Sequence, residues 1–276
     1  MKFFSLRWSV RAIFLVYFIG LAGSTQLLGQ ANYQLSTKLD GSLLAGGIVG
    51  TTTSLILRNQ HAPLTAAQVN LSQASEISSF DRSATNNYSL SFKAASDITL
   101  YTAYAFPLVA LSFPEIRSDW LTLAVMFGEM VMLTETATGI TKVLVGRARP
   151  YTYNPEVSIE TRTQPGNNSS YFSGHTSYTA SFSFFAAKVI ADHTESKALK
   201  AVVWTTAVVW PAATGYFRYR AGQHFPTDVI SGYVAGAAIG WLIPHLHRVK
   251  EPSIKKKVEI AHWHVSPTSF GVIVSL

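Results

Sequence analysis

Apolar residues gather into long blocks separated by polar stretches, and the spacing inside the blocks predicts helices rather than strands. Ile98 to Phe113 is apolar but contains Pro107, which should kink it. Trp120 to Val145 is long and mixed, with Glu129 and Glu135 inside. Thr176 to Ala191 is rich in Phe and Ala. Ala201 to Tyr216 carries Val202, Trp204, Val208 and Trp210 and is interrupted by Pro211. Asp228 to Ile243 places Gly232, Gly236 and Gly240 four apart, on one helix face where a second backbone can approach closely. An earlier block, Ser42 to Leu57, is centred on Gly46 to Gly50 and is short for a bilayer span of about 20 residues. The pattern describes an all-α chain, a bundle of roughly six helices.

The remaining stretches set boundaries. Arg58 to Asp97 is polar, with a helix start expected at Thr65-Ala66-Ala67-Gln68. Two loops, Gly146 to Ser173 and Phe217 to Pro226, hold the polar and cationic residues that chemistry needs. From Val258 to Leu276 the period changes to alternation around Ser266-Pro267-Thr268, which predicts a strand or small hairpin. At the other end, Lys2, Arg7 and Arg11 precede an apolar run from Ala12 to Gly23. Gly29 and Ala31 then follow at the spacing of a cleavage site. This is the form of a secretory signal peptide, or of a retained signal anchor. The expected division is 1–31 leader, 32–97 N-terminal extension, 98–245 core and 246–276 basic, strand-like tail.

Composition narrows the setting. Apolar residues make up 48% and charged residues 13% of 276, about half the usual charged share, so the bundle is buried on many sides or embedded in lipid. The net charge of +7 suits anionic lipid or phosphorylated ligands, and no nucleic-acid module accompanies it. The absence of cysteine excludes disulfides, thiolate nucleophiles and Cys-ligated zinc.

Three clusters carry candidate chemistry. Lys142 precedes Arg149-Pro150 by seven residues. Phe172-Ser173-Gly174-His175 stands just before a helix. Arg218 is followed by His224 and then Asp228, four residues on. A phosphoryl group needs dense positive charge and donors at its nonbridging oxygens. Lys142, Arg149 and Arg218 provide three cations, and the arginines can bind phosphate oxygens with both arms. Ser173 and Gly174 offer backbone N–H groups at a helix start, an anion site by dipole and geometry. With the charge neutralised by these side chains, no metal or cofactor is expected.

In this order the clusters resemble the three signature motifs of the type 2 phosphatidic acid phosphatase superfamily, which includes bacterial nonspecific acid phosphatases and vanadium haloperoxidases. The pattern is Lys-x6-Arg-Pro, Pro-Ser-Gly-His and Ser-Arg-x5-His-x3-Asp. Here Phe172 replaces the Pro of the second motif and Phe217 the Ser of the third. The resemblance covers roughly residues 95 to 245. It implies that His224 is the nucleophile, that Asp228 orients its other ring nitrogen, and that His175 is the general acid. Lys142, Arg149, Ser173, Gly174 and Arg218 would bind the phosphate. It implies a phosphatase acting on a phosphorylated lipid or isoprenyl diphosphate. The alternatives are a vanadate-dependent haloperoxidase using the same pocket and a non-enzymatic membrane protein with a relic anion site. The setting expected is a bacterial membrane, with the site facing the periplasm and the Lys-rich tail inside; a soluble periplasmic bundle is the alternative. Arg147 and Arg220 are expected to be solvated or to meet lipid headgroups. The remaining histidines, His247 among them, are expected to have no functional surroundings.

Overall fold

The computed structural model describes residues 32–249, 259–266 and 269–275, so the expected leader lies outside the described residues. In chain order the helices are α1 (Thr37–Gln60), α2 (Ala66–Leu71), α3 (Ser79–Arg82), α4 (Leu90–Ala103), α5 (Phe106–Ala110), α6 (Pro114–Arg117), α7 (Trp120–Val145), α8 (Ile159–Arg162), α9 (Gly174–Asp192), α10 (Lys197–Arg220) and α11 (Pro226–His247). Six rods build the bundle: α1, the broken rod α4–α5, α7, α9, α10 and α11. The fold is all-α, as the sequence pattern implies. The tail adds one antiparallel hairpin, β1 (Glu259–Ser266) with β2 (Ser269–Ser275), in which Trp263 pairs with Val272 and His264 with Gly271.

Two elements differ from the sequence reading. The expected short block is a 24-residue helix, α1, about 36 Å long at 1.5 Å per residue and therefore of bilayer length. Helix α10 runs unbroken through Pro211 to Arg220 and carries Arg218 in its last turn. A proline here leaves the Ala207 carbonyl without its helical donor. Ser183 of α9 brings its hydroxyl to 3.2 Å from that carbonyl, sharing the proton with its own helix, so the lost bond has a neighbour to replace it. Pro107 does break its rod, and sits in the first turn of α5.

Helix α9 occupies the centre, packed against α4, α5, α7, α10 and α11. Its Phe182, Phe185 and Val189 form the core with Met126 and Met130 of α7 and Ile243 of α11. The outer faces remain apolar: Ile48 and Val49 on α1, Val208 and Val209 on α10, and Val234 and Trp241 on α11 are all exposed. Two segments, Trp120–Tyr153 and Pro226–His247, are long and apolar enough to cross a bilayer.

The glycine row of α11 sets the closest approach. A Cβ at Gly232, Gly236 or Gly240 would stand 2.5, 2.0 or 2.3 Å from the carbonyl oxygens of Ser173, Ser177 and Ser181. The two rows advance together, four residues at a time, so α9 and α11 lie backbone against backbone. The obstructing atoms are main chain and cannot swing away. Gly236→Leu is therefore expected to cost at least about 3 kcal/mol, the upper end of ordinary overpacking, or to prevent accumulation of folded protein. Thermal unfolding of the purified variant checks this; a stability within about 0.5 kcal/mol of wild type would show that the helices separate freely.

Candidate active site

The site lies where α7 and α10 end and α9 and α11 begin. Gly146 closes α7 in the left-handed conformation, φ 57°, its N–H bonded to the Lys142 carbonyl. The chain then enters the loop that carries Arg147 and Arg149. Ser173 caps α9, its hydroxyl accepting from the Thr176 N–H. Pro226 opens α11, and Asp228 accepts the Phe225 N–H at 2.9 Å, so its carboxylate fixes the helix entry.

These ends bring Lys142, Arg149, Ser173, Gly174, His175, Arg218 and His224 to one region. Lys142 Nζ donates to the carbonyls of Ser169 and Phe172, both at 2.8 Å. Arg149 donates through Nε to the Gly166 carbonyl at 2.8 Å and through one arm to Gln223 Oε1 at 2.7 Å. Arg218 reaches the same Gln223 oxygen at 3.4 Å, and its Nε is buried with no acceptor among the described residues. A buried guanidinium N–H of this kind is a strong donor to an anionic oxygen. A cleft of about 470 Å³ opens above, walled by Arg149, Arg218, His175, Asp97, Lys93 and the aromatic rings of Tyr88 and Tyr151.

His224 is 1% exposed, and its Nδ1 lies 2.7 Å from the Ser170 carbonyl oxygen. A carbonyl only accepts, so Nδ1 carries the proton and Nε2 keeps its lone pair. Burial lowers the imidazole's pKa well below the usual value. The charges of Lys142, Arg149, Arg218 and His175 lower it further, so the ring is neutral.

Asp228 does not fill the place expected for it. Its nearer oxygen is 3.7 Å from His224 Nδ1, beyond hydrogen-bond length. It accepts instead from the Ser170 hydroxyl at 2.5 Å, the Phe225 N–H and Arg147 at 2.6 Å. Asp228 thus holds the segment whose carbonyl holds His224, one step removed from the ring. Arg147 also departs from expectation. It is neither solvated nor free, but bridges Asp228 and Asp81, the latter at 2.8 Å, and stacks 4.0 Å over the Phe225 ring.

Three more residues escaped the sequence reading. Asp97 accepts from His175 Nε2–H at 2.7 Å and lies 3.8 Å from Arg218. Gln223 ties the two arginines together. Asp81 anchors Arg147 and the Thr227 N–H. Gln223 had a signal in its position beside His224. Asp81 and Asp97 had none, because their partners are 66 and 78 residues away.

The arrangement holds a buried imidazole with one nitrogen unbonded, a second imidazole paired to a carboxylate, two arginines in the cleft wall and the Lys142 ammonium buried against the Ser169 and Phe172 carbonyls. It suits capture of a tetrahedral oxyanion and transfer of its central atom to nitrogen. Searches of curated proteins and of solved structures return no match for the chain. The PAP2 superfamily model matches residues 91–252, more than half of the sequence, over the same segments that converge on the cleft, and the chain belongs to that superfamily.

Proposed function

We propose that the protein is a phosphatase that cleaves a phosphomonoester or diphosphate of a lipid or isoprenyl chain, through a phosphohistidine on His224. The observation that carries this reading is the tautomer of His224. With Nδ1–H committed to Ser170, Nε2 is the only nucleophilic atom of a buried ring set among Lys142, Arg149 and Arg218. Nε2 attacks phosphorus while the bond to the leaving oxygen breaks, and His175 delivers a proton to that oxygen. The three cations and the Gly174 N–H bind the nonbridging oxygens as charge spreads over them, while the Ser173 N–H, expected to share that task, donates to the Asp228 carbonyl at 2.9 Å. Water then attacks the phosphohistidine, with His175, held by Asp97, taking its proton; phosphate leaves and His224 returns to its starting form.

The apolar outer faces and the two bilayer-length segments support a membrane setting. The Val249 N–H bonds to the Asn32 carbonyl, so both ends of the bundle meet on the face away from the site. The sequence that follows Val249 holds Lys250 and Lys255 to Lys257. Basic segments favour the cytoplasmic side, which leaves the cleft facing outward.

A panel run on detergent-purified protein tests the activity: lipid phosphates, isoprenyl diphosphates, a soluble aryl phosphate, and halide oxidation with added vanadate. Phosphate release, fastest from the lipid-linked compounds, is expected. Halide oxidation that requires vanadate, with no phosphate release from any compound, would overturn the phosphatase reading in favour of a haloperoxidase.

A further inference from the structure

At the opposite end of the bundle three titratable side chains from three helices meet. Asp40 is in the first turn of α1, Glu129 is inside α7, and His247 ends α11. Their exposures are 7%, 0% and 1%, and one ligand atom from each lies within 4.8 Å of the others. We infer that Asp40, Glu129 and His247 form a binding site for one divalent transition-metal ion of the zinc or manganese class.

His247 is oriented as a ligand. Its Nδ1 lies 2.7 Å from the Ile243 carbonyl, so Nδ1 carries a proton and Nε2 is the ring nitrogen turned to the two carboxylates. Nε2 lies 2.6 Å from Asp40 Oδ1, a hydrogen bond when Nε2 is protonated, and 3.3 Å from Glu129 Oε2. Two carboxylates converging on one imidazole nitrogen need positive charge among them. A proton on Nε2 supplies one charge against two carboxylates. Both Glu129 oxygens are buried with no hydrogen-bond donor among the described residues, which a single proton on His247 leaves uncorrected. A divalent ion offsets both charges and takes up both oxygens. The donor set is then Nε2, Asp40 Oδ1 and the two Glu129 oxygens, with Asp40 steadied by the Ser36 N–H on its other oxygen. An imidazole with carboxylates favours zinc or manganese over magnesium or calcium. Zinc bonds of about 2.0–2.2 Å place ligand atoms roughly 3.3 Å apart, so Asp40 and His247 need part by less than about 1 Å. The ion would pin α1 to α7 and α11.

The test uses the full chain in detergent, stripped with EDTA, desalted, and titrated with zinc or manganese chloride. Bound metal is measured by mass spectrometry and thermal unfolding is followed in parallel. Wild type is expected to hold about one equivalent, with a Tm that rises with metal concentration and falls in EDTA. Glu129→Gln and His247→Gln should bind at least about tenfold more weakly and lose the metal-dependent Tm shift. If wild type takes up no more metal than Glu129→Gln, or its Tm ignores zinc, manganese and EDTA, the inference is overturned and a protonated His247 is the cluster's counter-charge. Metal kept by Glu129→Gln but lost from His175→Ala would equally overturn it, by assigning the ion to the other end of the bundle.

Discussion

His224→Ala is expected to lower kcat for the best substrate at least about a thousandfold and to abolish labelling of the protein by substrate phosphate. The expected loss exceeds that of any cation, because each of Lys142, Arg149 and Arg218 shares its task with the other two. Truncation removes the attacking atom itself. Water cannot take its place readily, since His224 is 1% exposed and the small void left lies beneath the cleft. The effect belongs in kcat, with KM changed little, because Arg149 and Arg218 in the cleft wall remain to bind the phosphoryl oxygens. Rapid quenching with radiolabelled substrate should trap an acid-labile, base-stable phosphoryl group in wild type and none in the variant. A variant retaining more than a few per cent of the activity, or the same label, would exclude His224 as the attacking group. Because the neutral ring depends on burial and surrounding charge, the acid limb of wild-type kcat/KM should not fall at the ordinary histidine value of about 6.5 on account of His224.

How much of this was legible in the chain depends on how far each interaction reaches. The helical blocks follow from local periodicity, and Pro107 breaks its rod as a local rule requires. Pro211 obeys the same rule and yet breaks nothing, because Ser183 on another helix serves the freed carbonyl. No local rule contains that neighbour. The site shows the same divide. The cations and imidazoles fall at recognisable spacings, and the fold brings Arg149, Arg218 and His175 to one cleft, with Lys142 and His224 buried. The spacing of His224 and Asp228 suggested a direct pair, since residues four apart share a helix face. His224, however, precedes the helix, which begins at Pro226, so its ring follows the loop and meets the Ser170 carbonyl instead. Asp81, Asp97 and the Asp40–Glu129–His247 cluster are joined only by tertiary contacts, and single residues scattered through a sequence carry no spacing to read.

Arg147→Ala should be the most destabilising of the single substitutions that leave the helix contacts intact, at about 3–5 kcal/mol. Position 147 looks like one surface arginine among several, and such residues contribute about 0–1 kcal/mol through exposed pairs. Here the side chain is 24% exposed but its partners, Asp81 and Asp228, are 3% and 0% exposed. Removing the guanidinium leaves two buried carboxylates near each other without a cation, and also strips the stacking over Phe225. Lysine should rescue only part, because one ammonium cannot donate to both carboxylates in the geometry of a planar fork. The acid dependence gives an independent check. Burial alone would raise the Asp81 pKa, but hydrogen bonds from Arg147 and Thr227, with the Arg147 charge, hold it below the ordinary carboxylate value. A depressed carboxylate contributes stability that is present above its unfolded pKa of about 3.9 and lost as pH falls through the folded value. Wild type should therefore lose stability below about pH 4 more steeply than Arg147→Ala, in which that contribution is already absent. Asp81→Asn combined with Arg147→Ala should cost less than the sum of the two, since one uncompensated charge is removed. Activity should fall with stability, because Arg147 holds Asp228, Asp228 holds Ser170, and Ser170 fixes the His224 ring. Denaturant unfolding of the four proteins measures the coupling. A loss below about 0.5 kcal/mol in Arg147→Ala, with additive effects, would place Arg147 among the solvated arginines after all.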